Sequence, residues 1–173
     1  MTHSDGTLEH LWSLIAKVRF AMFTTQDGSG HLTARPMTTQ NKAIDLDQSL
    51  WFFMSAVSEP IADLTMSNEV GLVYVEPHAD VYVSIAARAS VLRDPAKVRE
   101  LWSPLNAAWF PGGMDDPNLV LVRCKILSAY YWDIKQSKFV QLWTLAKAAA
   151  TGRPPENMGE QGVVRVANSG YQA

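Results

Sequence analysis

The strongest constraint on the fold is a succession of extended runs, rich in β-branched and aromatic residues and separated by short connections. The first run begins at Phe20 and is followed by turn-forming residues at 26–30 (Gln-Asp-Gly-Ser-Gly), a pattern typical of a β-hairpin. The later runs cover His31 to Thr39, Leu50 to Ser55, Val70 to Val75, Val81 to Leu92 and Leu119 to Trp132. Because hairpin-length connections join neighbouring strands in antiparallel order, the sequence predicts a mainly β, α+β fold, a six-stranded antiparallel barrel that is closed or nearly closed.

Helical segments fall between these runs. Apolar residues at the spacing of one helix face predict a first helix over roughly residues 7–17, and these residues are Leu8, Leu11, Trp12 and Ile15. Ser58 is a candidate N-cap for a short second helix, Asp94-Pro95 marks the start of a third, and a last helix is predicted over Phe139 to Ala150. No repeat or domain boundary is visible, so the chain is predicted to be a single domain over residues 1–173, with 152–173 as an extended C-terminal arm.

The charge pattern narrows the class of partner. Basic residues number 15 and acidic residues 17, and they are mixed along the chain, which argues against a nucleic-acid-coating protein. No apolar run approaches the ~20 residues that span a bilayer, and the start of the sequence lacks the basic and apolar segments of a secretory signal. Cys124 is the single cysteine, which suits a reducing compartment. We therefore expect a cytoplasmic protein with no nucleic-acid or membrane partner.

Residues with catalytic or metal-binding chemistry do not form a recognisable constellation. The histidines have no second His or Cys at ligand spacing, and Glu76, His78 and Asp80 fit a polar turn better than a metal site. Cys124 shares a strand face with apolar neighbours, which predicts a buried thiol with no catalytic role. We predict no metal, and no side chain is assigned as a catalytic acid, base or nucleophile.

Two segments carry a resemblance to a known family. They are residues 34–37 (Ala-Arg-Pro-Met) and 51–53 (Trp-Phe-Phe), followed by Ser58 at a helix start. Further matching motifs follow in order at Asp94 to Trp102, Trp109-Phe110, Gly112-Gly113, Asp115-Asp116-Pro117, Tyr131-Trp132-Asp133, Ala148 to Pro155 and Gly159-Glu160. In order and spacing the chain resembles the pyridoxamine 5'-phosphate oxidase-related split-barrel family, in its general stress protein-like branch, over roughly residues 8–166.

The resemblance implies that the barrel is split and binds FMN at the interface of a homodimer. The flavin ring would be held by main-chain groups of Arg35 to Thr38, with the strand Trp51 to Ser55 beside it. Arg35 would bind the phosphate together with the hydroxyls of Ser55 and Ser58, because a guanidinium presents a planar fork of donors to phosphate oxygens. The candidate cofactor-binding residues are Arg35, Pro36, Met37, Thr38, Trp51, Phe52, Phe53, Met54, Ser55, Ser58 and Trp109.

One position departs from the family pattern. Many relatives carry a lysine two residues after the serine that matches Ser58, whereas this chain has Pro60, which offers neither charge nor amide hydrogen. Either FMN binds more weakly here, or Lys42 or Arg88 compensates. Trp109, Phe110 and Trp132 are predicted to supply apolar surface to the partner subunit.

Four functions remain open at this point. The first is a flavin-dependent oxidoreductase, whose cofactor would carry the redox chemistry. The second is a flavin-binding sensor or buffer without turnover, which suits the lack of a catalytic constellation. The third is the same fold with deazaflavin or haem. The fourth is a cofactor-free interaction protein, in which Trp51, Phe52 and Phe53 are ordinary core residues.

Overall fold

The computed structural model describes residues 4–5, 7–133 and 160–165. Three α-helices lie within this part of the chain, α1 (Leu8–Val18), α2 (Glu59–Met66) and α3 (Pro95–Leu101). The strands are β1 (Ser4–Asp5), β2 (Phe20–Gln26), β3 (Leu32–Thr38), β4 (Ser49–Ser55), β5 (Glu69–Glu76), β6 (Val81–Leu92), β7 (Leu119–Asp133) and β8 (Glu160–Arg165). The helix predicted over Phe139 to Ala150 lies outside the described residues.

The helices begin where capping residues are found. The hydroxyl of Thr7 accepts a hydrogen bond from the His10 backbone N–H at the start of α1, at 3.2 Å. Asp94 accepts from the backbone of Ala96 and Lys97, both at 3.0 Å, and Pro95 occupies the first turn of α3. No helix in the described ranges combines the length and apolar character needed to cross a membrane.

The six predicted strands are all present as β2 to β7, and the prediction of a mainly β split barrel with flanking helices is confirmed. The sheet order is β1-β8-β7-β6-β5-β2-β3, and β4 pairs with β7 away from that path. The first half of β7 pairs with β4, from Leu119 to Lys125, and its second half pairs with β8, from Ser128 to Asp133. β8 lies inside the predicted C-terminal arm and pairs in parallel with the two-residue β1.

The split of the barrel lies between β3 and β4, and the segment that follows β3 bridges it. The backbone N–H of Gln40 donates to the Trp51 carbonyl at 2.8 Å. The Asn41 side chain then takes the place of a peptide group: its Oδ1 accepts from the Trp51 N–H at 2.7 Å, and its Nδ2 donates to the Ser49 carbonyl at 3.0 Å. We refer to Gln40 and Asn41 as the seam.

Two clusters of apolar side chains form the core. The larger cluster fills the barrel, where Phe23 and Phe52 meet edge to face at 5.2 Å between ring centroids. The smaller cluster packs Trp51 and Phe53 against α3 and Phe110. Phe110 is 7% exposed, so the prediction that it offers surface to a partner is wrong: the ring packs 6.4 Å from that of Phe53.

Candidate functional site

Among the described strands, β3 pairs with β2 alone, so its other edge is open. It pairs with β2 on one side, in a register that places Phe20 opposite Thr38 and Gln26 opposite Leu32. The Thr39 N–H donates to the Arg19 carbonyl, and the Asp27 N–H donates to the His31 carbonyl. These two bonds determine which residue pairs between β2 and β3 are the hydrogen-bonded ones. Because such pairs alternate along an antiparallel ladder, the main-chain polar groups of residues 34, 36 and 38 point away from β2.

Pro36 fits this arrangement. It stands opposite Met22, at one of the positions whose peptide groups face away from β2. Since proline has no N–H, the outward edge offers its carbonyl oxygen alone, flanked by the full peptide groups of Ala34 and Thr38. The Thr38 carbonyl already accepts from the Gln40 side chain at 3.1 Å. The open edge therefore presents alternating acceptors and donors at the positions that sequence analysis assigned to the flavin ring.

Arg35 points to the opposite face of β3 from Pro36, and its guanidinium is already engaged there. Its Nη1 donates to Thr25 Oγ1 at 2.9 Å, and its Nη2 lies 3.7 Å from Asp63 Oδ2. Thr25 Oγ1 in turn donates to the same carboxylate oxygen at 2.6 Å. The side chains of Arg35 and Asp63 are 19% and 16% exposed, so the pair is largely shielded from solvent.

A groove of about 340 Å³ opens over this pair. Its lining consists of Asp27, Thr33, Arg35, Glu59, Ala62 and Asp63. The lining therefore combines three acidic residues with one arginine. The backbone N–H groups of His31 and Ser29 donate to Asp27 and lower the pKa of its carboxyl below the ordinary value. We refer to this depression as the Arg35 groove.

A second groove, of about 380 Å³, lies on the other face of β3. Its floor is mainly apolar and is formed by Phe20, Met22, Pro36, Val73 and Val75, with Lys17 and Glu76 among the other lining residues. Successive side chains of a strand point to opposite faces, which is why Arg35 and Pro36 line different grooves. β3 thus separates a polar groove from an apolar one, both of a size found for small-ligand sites.

The aromatic strand β4 contributes packing more than exposed surface. Trp51, Phe52, Phe53 and Met54 are all at most 6% exposed. The Trp51 indole N–H donates to Asp45, and Lys97 lies 5.1 Å from the ring centroid. The side chains therefore match the core interpretation, and any contact of this strand with a ligand would be made by its main chain.

Of the two predicted hydroxyl ligands, Ser58 is engaged with the main chain of Ser55. Ser58 Oγ donates to the Ser55 carbonyl at 2.6 Å instead of capping α2, and the Ser58 backbone N–H donates to the same oxygen at 3.0 Å. Neither serine is among the residues that line the Arg35 groove. Pro60 is buried on the inner side of α2 together with Leu64.

The other predicted contributors also lie outside the groove lining. Lys42 Nζ donates to the Glu100 carbonyl at 2.7 Å, and Arg88 lies 3.6 Å from Glu69. Trp109 ends the 3₁₀ helix Pro104–Ala108 with its side chain 82% exposed. The residues that sequence reasoning missed are Thr25, Glu59 and Asp63, because nothing in a local pattern links α2 to Arg35 across β2.

Other reactive groups do not extend the site. Among the residues that the structure describes, no three His, Cys, Asp or Glu side chains are grouped as metal ligands. Cys124 is fully buried, as predicted, and burial raises the pKa of its thiol. The site therefore consists of the open edge of β3 and the two grooves beside it.

Comparison with known proteins agrees with this fold. A family model described as pyridoxamine 5'-phosphate oxidase like matches residues 6–156. The chain is 35% identical to the general stress FMN/FAD binding protein of Xanthomonas citri, with a TM-score of 0.62, and the match covers 75% of this chain and 89% of that one. The general stress protein 26 of Bacillus anthracis shares the fold, with 19% identity, a TM-score of 0.60, and coverage of 70% and 93%. Protein bli-3 of Neurospora crassa is 26% identical over an alignment of 162 residues, and the match covers 87% of this chain and 76% of bli-3.

Proposed function

The chain belongs to the pyridoxamine 5'-phosphate oxidase-like family, and from that premise we propose that it binds FMN as a homodimer, with the flavin ring along the open edge of β3. The observation that carries the proposal is that edge. The peptide groups of Ala34, Pro36 and Thr38 face away from β2 and can pair with the carbonyl and N–H groups of a flavin's pyrimidine end. The name of the Xanthomonas citri relative supports a flavin ligand.

The two grooves fit the two ends of FMN unequally. The apolar groove with Pro36, Met22 and Val73 suits the flat ring system. Arg35 suits a phosphate, because only one of its donors makes a hydrogen bond within the described part of the chain. The carboxylates around Arg35 oppose a second negative group, so the phosphate end is the weaker part of the fit.

Bound FMN would supply one-electron or two-electron redox chemistry. The chain's own residues would then bind and orient the ring, and exclude water from it through the apolar groove. No described side chain is assigned a proton-transfer role, so the function proposed for the chain itself is flavin binding. The bound flavin would make the protein one of the oxidoreductase type. A sensor or buffer role uses the same site.

A second copy of the chain is the proposed cover for the apolar groove. The outer face of the sheet carries exposed apolar side chains on three adjacent strands, and we define it by Phe20, Met22, Val73, Val75 and Tyr82. Their exposed fractions run from 37% to 62%. A contiguous apolar face of this kind is typical of an interaction surface. Because the groove opens on this face, a partner seated there would also close over the flavin.

The decisive experiment is a titration of the purified protein with FMN and with riboflavin, followed by absorption and flavin fluorescence. We expect tighter binding of FMN, because Arg35 contacts a phosphate that riboflavin lacks. Arg35→Gln should weaken FMN binding by about 2–4 kcal/mol, the scale for removing one partner of a shielded charge pair, and should leave riboflavin binding unchanged.

The matched control is Arg88→Gln, which removes an arginine whose carboxylate partner is Glu69, outside the Arg35 groove. It should leave both affinities unchanged. Equal affinity for FMN and riboflavin in the wild-type protein, with no effect of Arg35→Gln, would contradict the phosphate assignment. A haem or deazaflavin spectrum in the protein as purified would contradict FMN as the cofactor.

A further inference from the structure

We infer that Asp63 sets the affinity of the Arg35 groove for a phosphate group, by competing with that group for the guanidinium. The inference rests on the proposed function, since it takes Arg35 as the residue that meets the phosphate. It concerns a carboxylate on α2 that is not among the buried residues of that helix.

The geometry makes Asp63 an internal substitute for a ligand anion. Its Oδ2 lies 3.7 Å from Arg35 Nη2 and 2.6 Å from Thr25 Oγ1. Since the Thr25 hydroxyl accepts from Arg35 Nη1 at 2.9 Å, its single proton is available for Asp63. The guanidinium is therefore linked to the same carboxylate twice, directly and through a hydroxyl that is 1% exposed.

The charge of the groove explains why this contact matters for a ligand. Besides Asp63, the lining contains the carboxylates of Asp27 and Glu59, against the one positive charge of Arg35. A phosphate that enters meets a cation whose charge is already balanced, and it is repelled by the carboxylates around it. Glu59 and Asp63 are four residues apart, so they lie on the same face of α2.

The test compares Asp63→Asn with the wild-type protein in titrations with FMN, riboflavin and inorganic phosphate. Asparagine keeps the size of the side chain and an oxygen that can accept from Thr25, and it removes the charge. We expect FMN to bind about tenfold more tightly, inorganic phosphate to compete at lower concentration, and riboflavin affinity to stay within about twofold. In the double variant Arg35→Gln/Asp63→Asn the gain for FMN should be lost.

The matched control is Glu69→Gln, which removes the same unit charge from a carboxylate paired with Arg88. It should change no affinity by more than about twofold. If Asp63→Asn does not fold, Glu59→Gln removes a groove charge from an exposed side chain and should tighten FMN binding by about threefold.

The outcomes separate the inference from the proposed function. Unchanged or weaker FMN binding in Asp63→Asn, or in Glu59→Gln where that variant is used, overturns the inference if Arg35→Gln still weakens FMN binding. If Arg35→Gln has no effect and FMN binds no better than riboflavin, the phosphate assignment itself fails, and the inference fails with it.

Discussion

Asn41 should be one of the most sensitive polar positions in this fold, because its side chain holds the seam that bridges the split between β3 and β4. It is 6% exposed and makes three hydrogen bonds to main-chain groups. They join its Oδ1 to the Trp51 N–H at 2.7 Å, and its Nδ2 to the carbonyls of Ser49 at 3.0 Å and Ala43 at 3.2 Å. Asn41→Ala removes all three at once.

The expected loss in the free energy of unfolding follows from the hydrogen bonds that Asn41→Ala removes and from the backbone groups that it leaves without a partner. A net contribution of roughly 0.5–1.5 kcal/mol for each hydrogen bond gives about 1.5–4.5 kcal/mol for the three. The two bonds to Trp51 and Ser49 are buried, so their backbone partners lose protein contacts without gaining full access to water. We therefore expect a loss of about 3 kcal/mol in the free energy of unfolding, which lowers Tm by about 6–12 °C in a chain of this size.

Urea unfolding followed by tryptophan fluorescence measures this loss, with Asn68→Ala as the control. Asn68 is exposed at the start of β5, and its main chain alone accepts a hydrogen bond, from Ala89, among the contacts that the structure describes. The control should stay within about 0.5 kcal/mol of the wild-type protein. A loss below about 0.5 kcal/mol for Asn41→Ala would refute the idea that a side chain substitutes here for a strand partner.

Two further predictions concern the outer face and the buried thiol. The wild-type protein should be a dimer by light scattering at micromolar concentration. Phe20→Lys on the outer face should weaken the dimer more than tenfold, since it places a charge in an apolar interface. Leu46→Lys, in the exposed loop before β4, is the control, and a monomeric wild-type protein would contradict the dimer. Cys124 should react with a thiol reagent at pH 8 only after unfolding, because burial raises the pKa of the thiol. Since the folded-state pKa lies above the unfolded value of about 9, this thiol should also make the free energy of unfolding fall as the pH rises past that value, and Cys124→Ala should remove that dependence.

The strands could be predicted because their determinants are local. Alternating side chains and short turns gave the bounds of β6 at Val81–Leu92, and the turn at 26–30 gave the β2–β3 hairpin. β8 was not predicted, because its six residues stand in a segment rich in Gly, Pro and Asn. What stabilises it is distant in sequence: it pairs with β7, and Gly162 lies so close to the ring of Tyr131 that a Cβ there would clash with it.

The surface of the molecule was harder to predict than its strands. Trp109 and Phe110 are neighbours of the same chemical type, yet one is 82% exposed and the other 7% exposed. Their backbone N–H groups both donate to the Asn106 carbonyl, so the turn after the 3₁₀ helix directs one ring outwards and the other against Phe53. Such a division depends on tertiary contacts and leaves no mark on composition or periodicity.

At the proposed phosphate end of the site, the structure adds residues that the sequence pattern did not indicate. The family resemblance singled out Pro60, where many relatives carry a lysine, and left two alternatives: weaker FMN binding, or compensation by Lys42 or Arg88. In the structure Pro60 is buried with Leu64, while Glu59 and Asp63 face the Arg35 groove from the same helix. By our inference, the lack of a lysine at position 60 and the carboxylates of Glu59 and Asp63 act in the same direction, since both would lower the affinity for a phosphate. A lysine at position 60 would have to leave a buried position to reach a ligand, whereas Asp63→Asn changes the charge of the groove and keeps the shape of the side chain. By our inference, phosphate affinity can therefore be raised at Asp63 without replacing Pro60 or Leu64, the buried residues of α2.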